Sequence, residues 1–338
     1  MTLSAVRRRL LLPAIALCAA VVVLLFAPLP AFAAPDPDPE GGTQSLSEQL
    51  EAAARGYNEA KAKLDISQAR RAQLASEAHG TEEQLSRLRT EVDALTLAAY
   101  KTGRVGGMVA ILDSGSPDAL FDRAMTLGAR TRMEDHRLRE LMQARQLLAG
   151  QQAAVDAEIK VEQEQLVELE KRRKAAERAL APVGGTTTGG PSGGTANASP
   201  APRAPNGSWP RESCSVKDPT TSGCLTPRTL HALEQARAAG FTRHTSCFTN
   251  GSWGEHPQGR ACDFAAHATG FAGVATGGDK AYGDQLAAWF VANADRLAVL
   301  YVIWYRQIWM AGTGWRVYYS GDGSPGGDHT NHVHLSVQ

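Results

Sequence analysis

An excess of charge of either sign is missing from this chain: 35 basic residues stand against 35 acidic ones in 338. A balanced surface gives no electrostatic basis for holding a polyanion, so no nucleic-acid partner is expected. Tryptophan is missing until Trp209, and all six lie at or beyond it. Cysteine is missing between Cys18 and Cys214. The helix-borne His-Glu-x-x-His signature is missing too, which excludes a zincin-type metal site. These gaps divide the chain into two halves of different character.

What is present begins with export. Arg7-Arg-Arg9 precedes an uncharged apolar stretch from Leu10 to Phe26, and Ala31-Phe-Ala33 supplies small residues for signal-peptidase cleavage before Ala34. Residues 1–33 therefore read as a signal peptide and the product as secreted, within the extracellular cell envelope. An uncleaved N-terminal membrane anchor is the alternative. Residues 34–44, with Asp-Pro repeats, read as disordered. With Cys18 removed, Cys214, Cys224, Cys247 and Cys262 remain, and an even count in an exported unit favours two disulfides. Three connectivities are open. Cys214–Cys224 with Cys247–Cys262 is preferred, because the second bridge would tie a strand at Thr245–Phe248 to the strand carrying Asp263.

Residues 45–182 are rich in Ala, Leu, Glu, Gln and Arg with a sustained heptad pattern. Leu46, Leu50, Ala53, Tyr57, Ala60 and Leu64 step by four and three, and the register runs on to Ala99 with weak positions at Ser67, Arg71 and Thr81. A second run extends from Leu138 through Val155, Ile159 and Leu169 to Leu180. Gly103-Arg-Val-Gly-Gly107 is expected to break the helix, and Ser116-Pro-Asp118 to cap a new one. The expectation is an antiparallel coiled-coil hairpin with arms of about 50 residues, or about 75 Å. Met108, Val109, Ile111, Leu112, Leu120 and Phe121 would cap its tip, either sealing the turn or docking a partner. Residues 183–210, built from Gly, Thr, Ser, Pro and Ala, read as a flexible linker.

Residues 211–338 read as α+β. Thr226-Pro227 opens a helix that Gly240 closes, and a second runs from about Gly283 to Leu297. Leu300–Trp304 is a buried strand, with Trp315–Tyr319 as its expected neighbour. Trp304, Trp309 and Trp315 are expected in the core or a cleft wall, with sugar stacking as the alternative. Chemistry concentrates in two clusters, His256-Pro-Gln-Gly259-Arg-Ala261-Cys-Asp263 and His332-Val-His334. Alternation on a strand puts both imidazoles of the second cluster on one face, with Val333, Leu335 and Val337 in the core. Together the clusters offer three zinc ligands and a spare imidazole, which leaves a position for water. Asp328 and His329 read as loop or supporting residues, and Glu255 as a solvated charge or, alternatively, a base.

His-x-x-Gly-x-Ala-x-Asp followed by His-x-His is similar to zinc peptidases of the lysostaphin, D-Ala-D-Ala carboxypeptidase and hedgehog types. The resemblance implies His256, Asp263 and His334 as Zn2+ ligands and His332 as the catalytic imidazole. It also implies a hedgehog/D-Ala-D-Ala-peptidase-like fold for 211–338. The stretch resembles the C-terminal domain of actinobacterial secreted coiled-coil proteins related to that group. Two departures stand out: Gly254 replaces a Ser, and Ser246-Cys-Phe-Thr249 lacks the carbonyl-polarising Arg. Arg243, Arg260 or Arg306 would have to substitute. Ala98-Ala-Tyr-Lys-Thr-Gly103 and Ser116-Pro-Asp-Ala-Leu-Phe121 resemble coiled-coil regions of secreted peptidoglycan hydrolases governed by a transporter-like membrane complex in division. The expected function is thus a zinc metallopeptidase acting on peptidoglycan stem peptides, with a regulatory coiled coil. The alternative is a non-catalytic envelope scaffold with a metal-stabilised or degenerate C-terminal domain.

Overall fold

The computed structural model describes residues 43–113 and 115–338, without the side chains of 102–108 and 110–112. The expected signal peptide and most of the disordered segment lie outside the described residues. Helix α1 (Gln44–Leu112) and helix α2 (Pro117–Leu180) form an antiparallel hairpin. A seven-stranded antiparallel sheet follows, built from β1 (Gly184–Thr187), β4 (Thr245–Ser246), β5 (Ala261–Ala265), β6 (Val299–Trp304), β7 (Gln307–Met310), β8 (Gly314–Tyr318) and β9 (His332–Val337). Its order is β1-β8-β7-β6-β9-β5-β4. A small ribbon of β2 (Val216–Lys217) and β3 (Cys224–Leu225), with helices α3 (Pro227–Ala238), α4 (Gly277–Ala292) and α5 (Ala294–Leu297), completes the α+β unit. Among the described residues no helix is long and apolar enough to cross a membrane.

The hairpin arms exceed the expected length, because α1 passes through Gly103–Gly107 and ends at Leu112. Each glycine in a helix interior costs about 1 kcal/mol, which a helix of 69 residues absorbs. The chain turns instead at Asp113–Ser116, where Ser116 Oγ accepts from the Ala119 amide at 3.2 Å and Pro117 opens α2. Of the expected tip cap, Val109, Leu120 and Phe121 are exposed; the side chains of Met108, Ile111 and Leu112 lie outside the described residues. Two of the three weak heptad positions are polar links between the arms, while Thr81 donates to the Glu77 carbonyl of its own helix. Ser67 donates to Glu158 at 2.5 Å, and Arg71 pairs with Glu162 at 2.9 Å. Such polar pairs, with Ser67 buried between the helices, fix the register of two helices that apolar residues alone would let slide.

The expected flexible linker is a strap bound to the sheet unit. Val183 is buried, β1 pairs with β8, and Trp315 Nε1 donates to the Pro191 carbonyl at 3.0 Å. Further on, Trp289 Nε1 donates to Asn197 at 2.8 Å, and the Ala198 amide to Asn293 at 2.9 Å. Small residues serve close approach here: a Cβ at Gly190 would lie 2.3 Å from the Trp315 ring, and one at Gly194 2.2 Å from the Ala288 carbonyl. Composition alone cannot separate that role from flexibility.

One sheet face packs on α3 and α4 through Cys247, Cys262, Phe264, Val302, Trp304, Val333 and Leu335. Helix α3 begins as expected, with Thr226 capping the Thr229 amide at 3.2 Å. Helix α4 starts six residues earlier than the expected Gly283 and stops at Asn293, whose side chain bonds the Trp289 carbonyl. Strand β8 is not the neighbour of β6, since β7 lies between them. Tyr305 and Arg306, with φ of 52° and 59°, make the intervening tight turn, and neither residue type advertises it.

The other sheet face meets the hairpin. Leu50, Ala54, Ala176 and Leu180 share a core with Leu300, Tyr301, Ile303, Ile308, Met310 and Tyr318. Asn58 donates to the Val299 carbonyl at 2.9 Å, and Arg260 pairs with Glu51 at 2.8 Å. The base of the hairpin is therefore part of the C-terminal unit.

Candidate metal centre

Strand pairing assembles the centre. Asp263 on β5 stands opposite His334 on β9, and Ala265 opposite His332, so these side chains share one face. Ala261 stands opposite Ser336 and leaves room beside the carboxylate. His256 arrives from the loop before β5, where Gly259 turns the chain with φ of 69°. A Cβ there would also lie 2.5 Å from the Cys214 sulfur. Both disulfides have the preferred pairing, Cys214–Cys224 and Cys247–Cys262. The second joins β5 to the residue whose carbonyl accepts from His256 Nδ1.

Three donor atoms converge. His256 Nε2 is 3.3 Å from His334 Nδ1 and 3.3 Å from Asp263 Oδ1, and the latter two are 2.9 Å apart. A small four-coordinate cation with bonds of about 2.0–2.1 Å holds its donors about 3.3 Å apart, so the set fits one. His256, Asp263 and His334 are at most 2 % exposed and form the one group among the described residues with donor atoms gathered for a metal ion. Supporting bonds face the lone pairs inward. The Cys247 carbonyl takes the proton of His256 Nδ1, and Ser336 Oγ lies 2.8 Å from His334 Nε2, leaving His334 Nδ1 to the centre.

His332 stands beside this trio. Its Nε2 is 3.4 Å from Asp263 Oδ1, and its Nδ1 is 2.7 Å from Asn331 Oδ1. Asn331 Nδ2 donates to the Ala272 carbonyl, so its oxygen faces the imidazole and His332 keeps Nε2 as an acceptor. Among the described residues Asp263 Oδ2, His332 Nε2 and His329 Nε2 are buried without a hydrogen-bond partner. Such a concentration of unsatisfied polar atoms is costly unless something binds between them.

Electrostatics match the geometry. Burial pushes the Asp263 carboxyl up, but facing His256 and His332, with hydrogen bonds from His256 and His334, holds it well below the usual carboxylate range. Burial pulls His332 down to about 4 against the pull of Asp263. His329 is held well below the usual imidazole range, by burial first and then by His332 and His334. At neutral pH the centre thus holds an ionised Asp263 beside uncharged His329 and His332 imidazoles.

Several expected roles change. Glu255 is 1 % exposed and pairs with Arg260 at 2.6 Å, so it is no solvated charge. Arg260 spans Glu255 and Glu51, Arg243 binds Asp279 at 2.8 Å, and Arg306 binds Asp328 at 2.6 Å. Each candidate for the missing arginine thus already holds a carboxylate. Trp304 and Trp315 are buried, which removes them as sugar platforms. Tyr301, whose ring stacks on His334 at 5.7 Å and 12°, escaped sequence reading because a tyrosine in an apolar strand looks like core.

The hairpin base lies on the same sheet face as the centre. Ile303 stands opposite His334 across β6 and β9, and it packs in the cluster that contains Leu50 and Leu180.

Comparison with known families finds a match over part of the chain. Residues 221–333 are similar to a family described as the C-terminal domain of VldE. The matched stretch includes His256, Asp263, His329 and His332 and ends one residue before His334. No curated protein matches the chain.

Proposed function

We propose that the sheet unit is a zinc-dependent hydrolase and that the chain works in the cell envelope on peptide bonds of peptidoglycan. The observation that carries the reading is the inward-facing set of His256 Nε2, Asp263 Oδ1 and His334 Nδ1, with an unpaired imidazole nitrogen of His332 beside it. Zinc bound there would supply a Lewis acid and a water nucleophile near neutral pH. The three ligands leave one coordination position to solvent or substrate. His332, uncharged and fixed by Asn331 at Nδ1, has Nε2 left to accept a hydrogen bond and would be the proton acceptor of the reaction. Asp263 would offset half of the ion's charge, and it orients His334.

Secretion is part of the proposal, and two disulfides fit an oxidising compartment. The hairpin is the regulatory element. Its base lies on the face of the centre, and Tyr100, Phe121 and Met125 are exposed toward its far end. A membrane transporter-like complex is the proposed partner for that end. The fold assignment that belongs with this reading is hedgehog/D-Ala-D-Ala-peptidase-like. Full burial of the centre and the committed arginines favour a second reading, a scaffold whose metal only stabilises the fold.

Metal analysis of the purified chain, wild type against His334→Ala, followed by digestion of purified peptidoglycan, separates them. One zinc per chain lost on mutation, with new amino groups released by wild type alone, is the expected result. Zinc without cleavage, even after the hairpin base is loosened, leaves the scaffold. Absence of zinc from wild type overturns both.

A further inference from the structure

His329 is the imidazole that neither the three-ligand set nor the His332 role uses. It is fully buried, and its ring centre lies 4.8 Å from that of His332 and 5.7 Å from that of His334. Its Nδ1 lies 3.1 Å from the Gly327 carbonyl, which can only accept, so Nδ1 carries the proton and Nε2 keeps its lone pair. That Nε2 has no partner. It also lies outside the group whose donor atoms converge for a metal.

The backbone around it is built to hold this orientation. His329 has φ of 52°, a left-handed conformation that side-chain-bearing residues seldom adopt. Its amide donates to the Gly326 carbonyl at 2.9 Å, and its carbonyl accepts from the Tyr305 amide at 2.8 Å. The next amide of the same turn, Arg306, donates to the Asp328 carbonyl at 3.1 Å, while the Arg306 side chain clamps Asp328 at 2.6 Å. The ring of Tyr318 meets that of His329 edge-on at 5.3 Å. A surface loop without a task has no need of this bracing. The unusual β6–β7 turn presents its two amides to the one segment that carries His329.

We propose that His329 is a second imidazole of the centre, accepting a hydrogen bond at Nε2 from the water or substrate N–H that His332 also faces. This rests on the zinc-hydrolase reading above. Water has two protons, and one acceptor leaves it free to rotate. Two imidazole acceptors from different segments fix its orientation before substrate arrives. His329 is thereby a positioning acceptor and no metal ligand.

The test uses the full chain as wild type, His329→Asn, His329→Gln and His334→Ala, each stripped and reloaded with zinc or cobalt(II). Asn tolerates the left-handed backbone but is too short to present an acceptor where Nε2 stands. Gln returns an acceptor oxygen. His329→Asn should keep one metal per chain and a wild-type thermal midpoint, shift the visible bands of the cobalt form, and lower peptidoglycan hydrolysis about 100-fold. His329→Gln should recover part of both. Wild-type cobalt bands and hydrolysis in a folded His329→Asn would overturn the proposal, as would loss of the metal, which would make His329 a ligand. If His329→Asn does not fold, the cobalt bands of His329→Gln decide in the same way. Wild type that binds zinc but cleaves nothing overturns the hydrolase reading alone, because the cobalt bands still report on His329. Wild type without metal overturns both.

Discussion

The base and the far end of the helical hairpin are made of similar residues but meet opposite fates. At the base, Leu50, Ala54, Ala176 and Leu180 are buried against a sheet. Toward the far end, Tyr100 is 86 % exposed, Met125 70 % and Phe121 66 %. A heptad seam needs only one apolar stripe per helix. The base carries apolar surface beyond that seam and spends it on the sheet. The far end carries comparable surface with nothing among the described residues to cover it. One end is thus embedded in the unit that holds the candidate metal centre, and the other is the end proposed to take a partner.

The strongest way to sharpen this contrast acts on the embedded end. His334→Ala should abolish metal uptake and reduce hydrolysis to background, because a trio with one ligand gone loses a donor atom and its shape. Metal analysis and peptidoglycan digestion read this directly. Replacing Cys247 and Cys262 together by Ser should cost about 2–5 kcal/mol in denaturant unfolding and also weaken zinc affinity, because the bridge supports both His256 and Asp263. An equal metal affinity in the double variant would show that the bridge serves stability alone.

Leu180→Ala should cost about 3 kcal/mol, since the side chain is 2 % exposed in the core shared by hairpin and sheet. A change below 1 kcal/mol would mean the base is held less firmly than the packing implies. A smaller effect depends on acidity. Glu51 is pushed up by burial but pulled below its usual 4.5 by bonds and charge from Arg55 and Arg260. A lowered carboxylate stabilises the fold above its unfolded value, and the contribution is lost as pH falls through the folded one. Glu51→Gln should therefore lose stability at neutral pH and converge with wild type only once pH falls below the lowered Glu51 value, as thermal midpoints across pH would record. Phe121→Ala should change stability by less than about 0.5 kcal/mol, because nothing covers the ring. A larger loss would show that the far end is packed after all.

Much of the centre was legible because strand alternation is a rigid rule. Alternation puts His332 and His334 on one face of their strand, and Ala261 and Asp263 on one face of theirs. The β5–β9 pairing that joins the two faces is seen in the structure. Strand reasoning favours Cys247–Cys262, while Cys214–Cys224 is the preferred remainder of three open connectivities. The hairpin was legible from its heptads. What escaped depends on partners distant in sequence. Gly103 to Gly107 look like a helix break until a helix of 69 residues is seen to carry them. Residues 183–210 have the composition of a tether, yet their glycines lie against Trp315 and Ala288. His329 looked like a loop residue because its value lies in a turn of Tyr305 and Arg306, which holds it from another part of the chain.

The hairpin also has a mechanical meaning. A helix of 69 residues spans about 100 Å, and only its first few turns rest on the sheet. The assembly is a long arm with a short foot, and the fulcrum is the cluster around Leu50 and Leu180. A sideways shift of about 10 Å at the far end tilts so long an arm by about 6°. At the foot the same tilt moves side chains by about 1 Å, the scale at which a close-packed contact is either kept or lost. On the regulatory role proposed for the hairpin, torque applied far away would become a small displacement over His334.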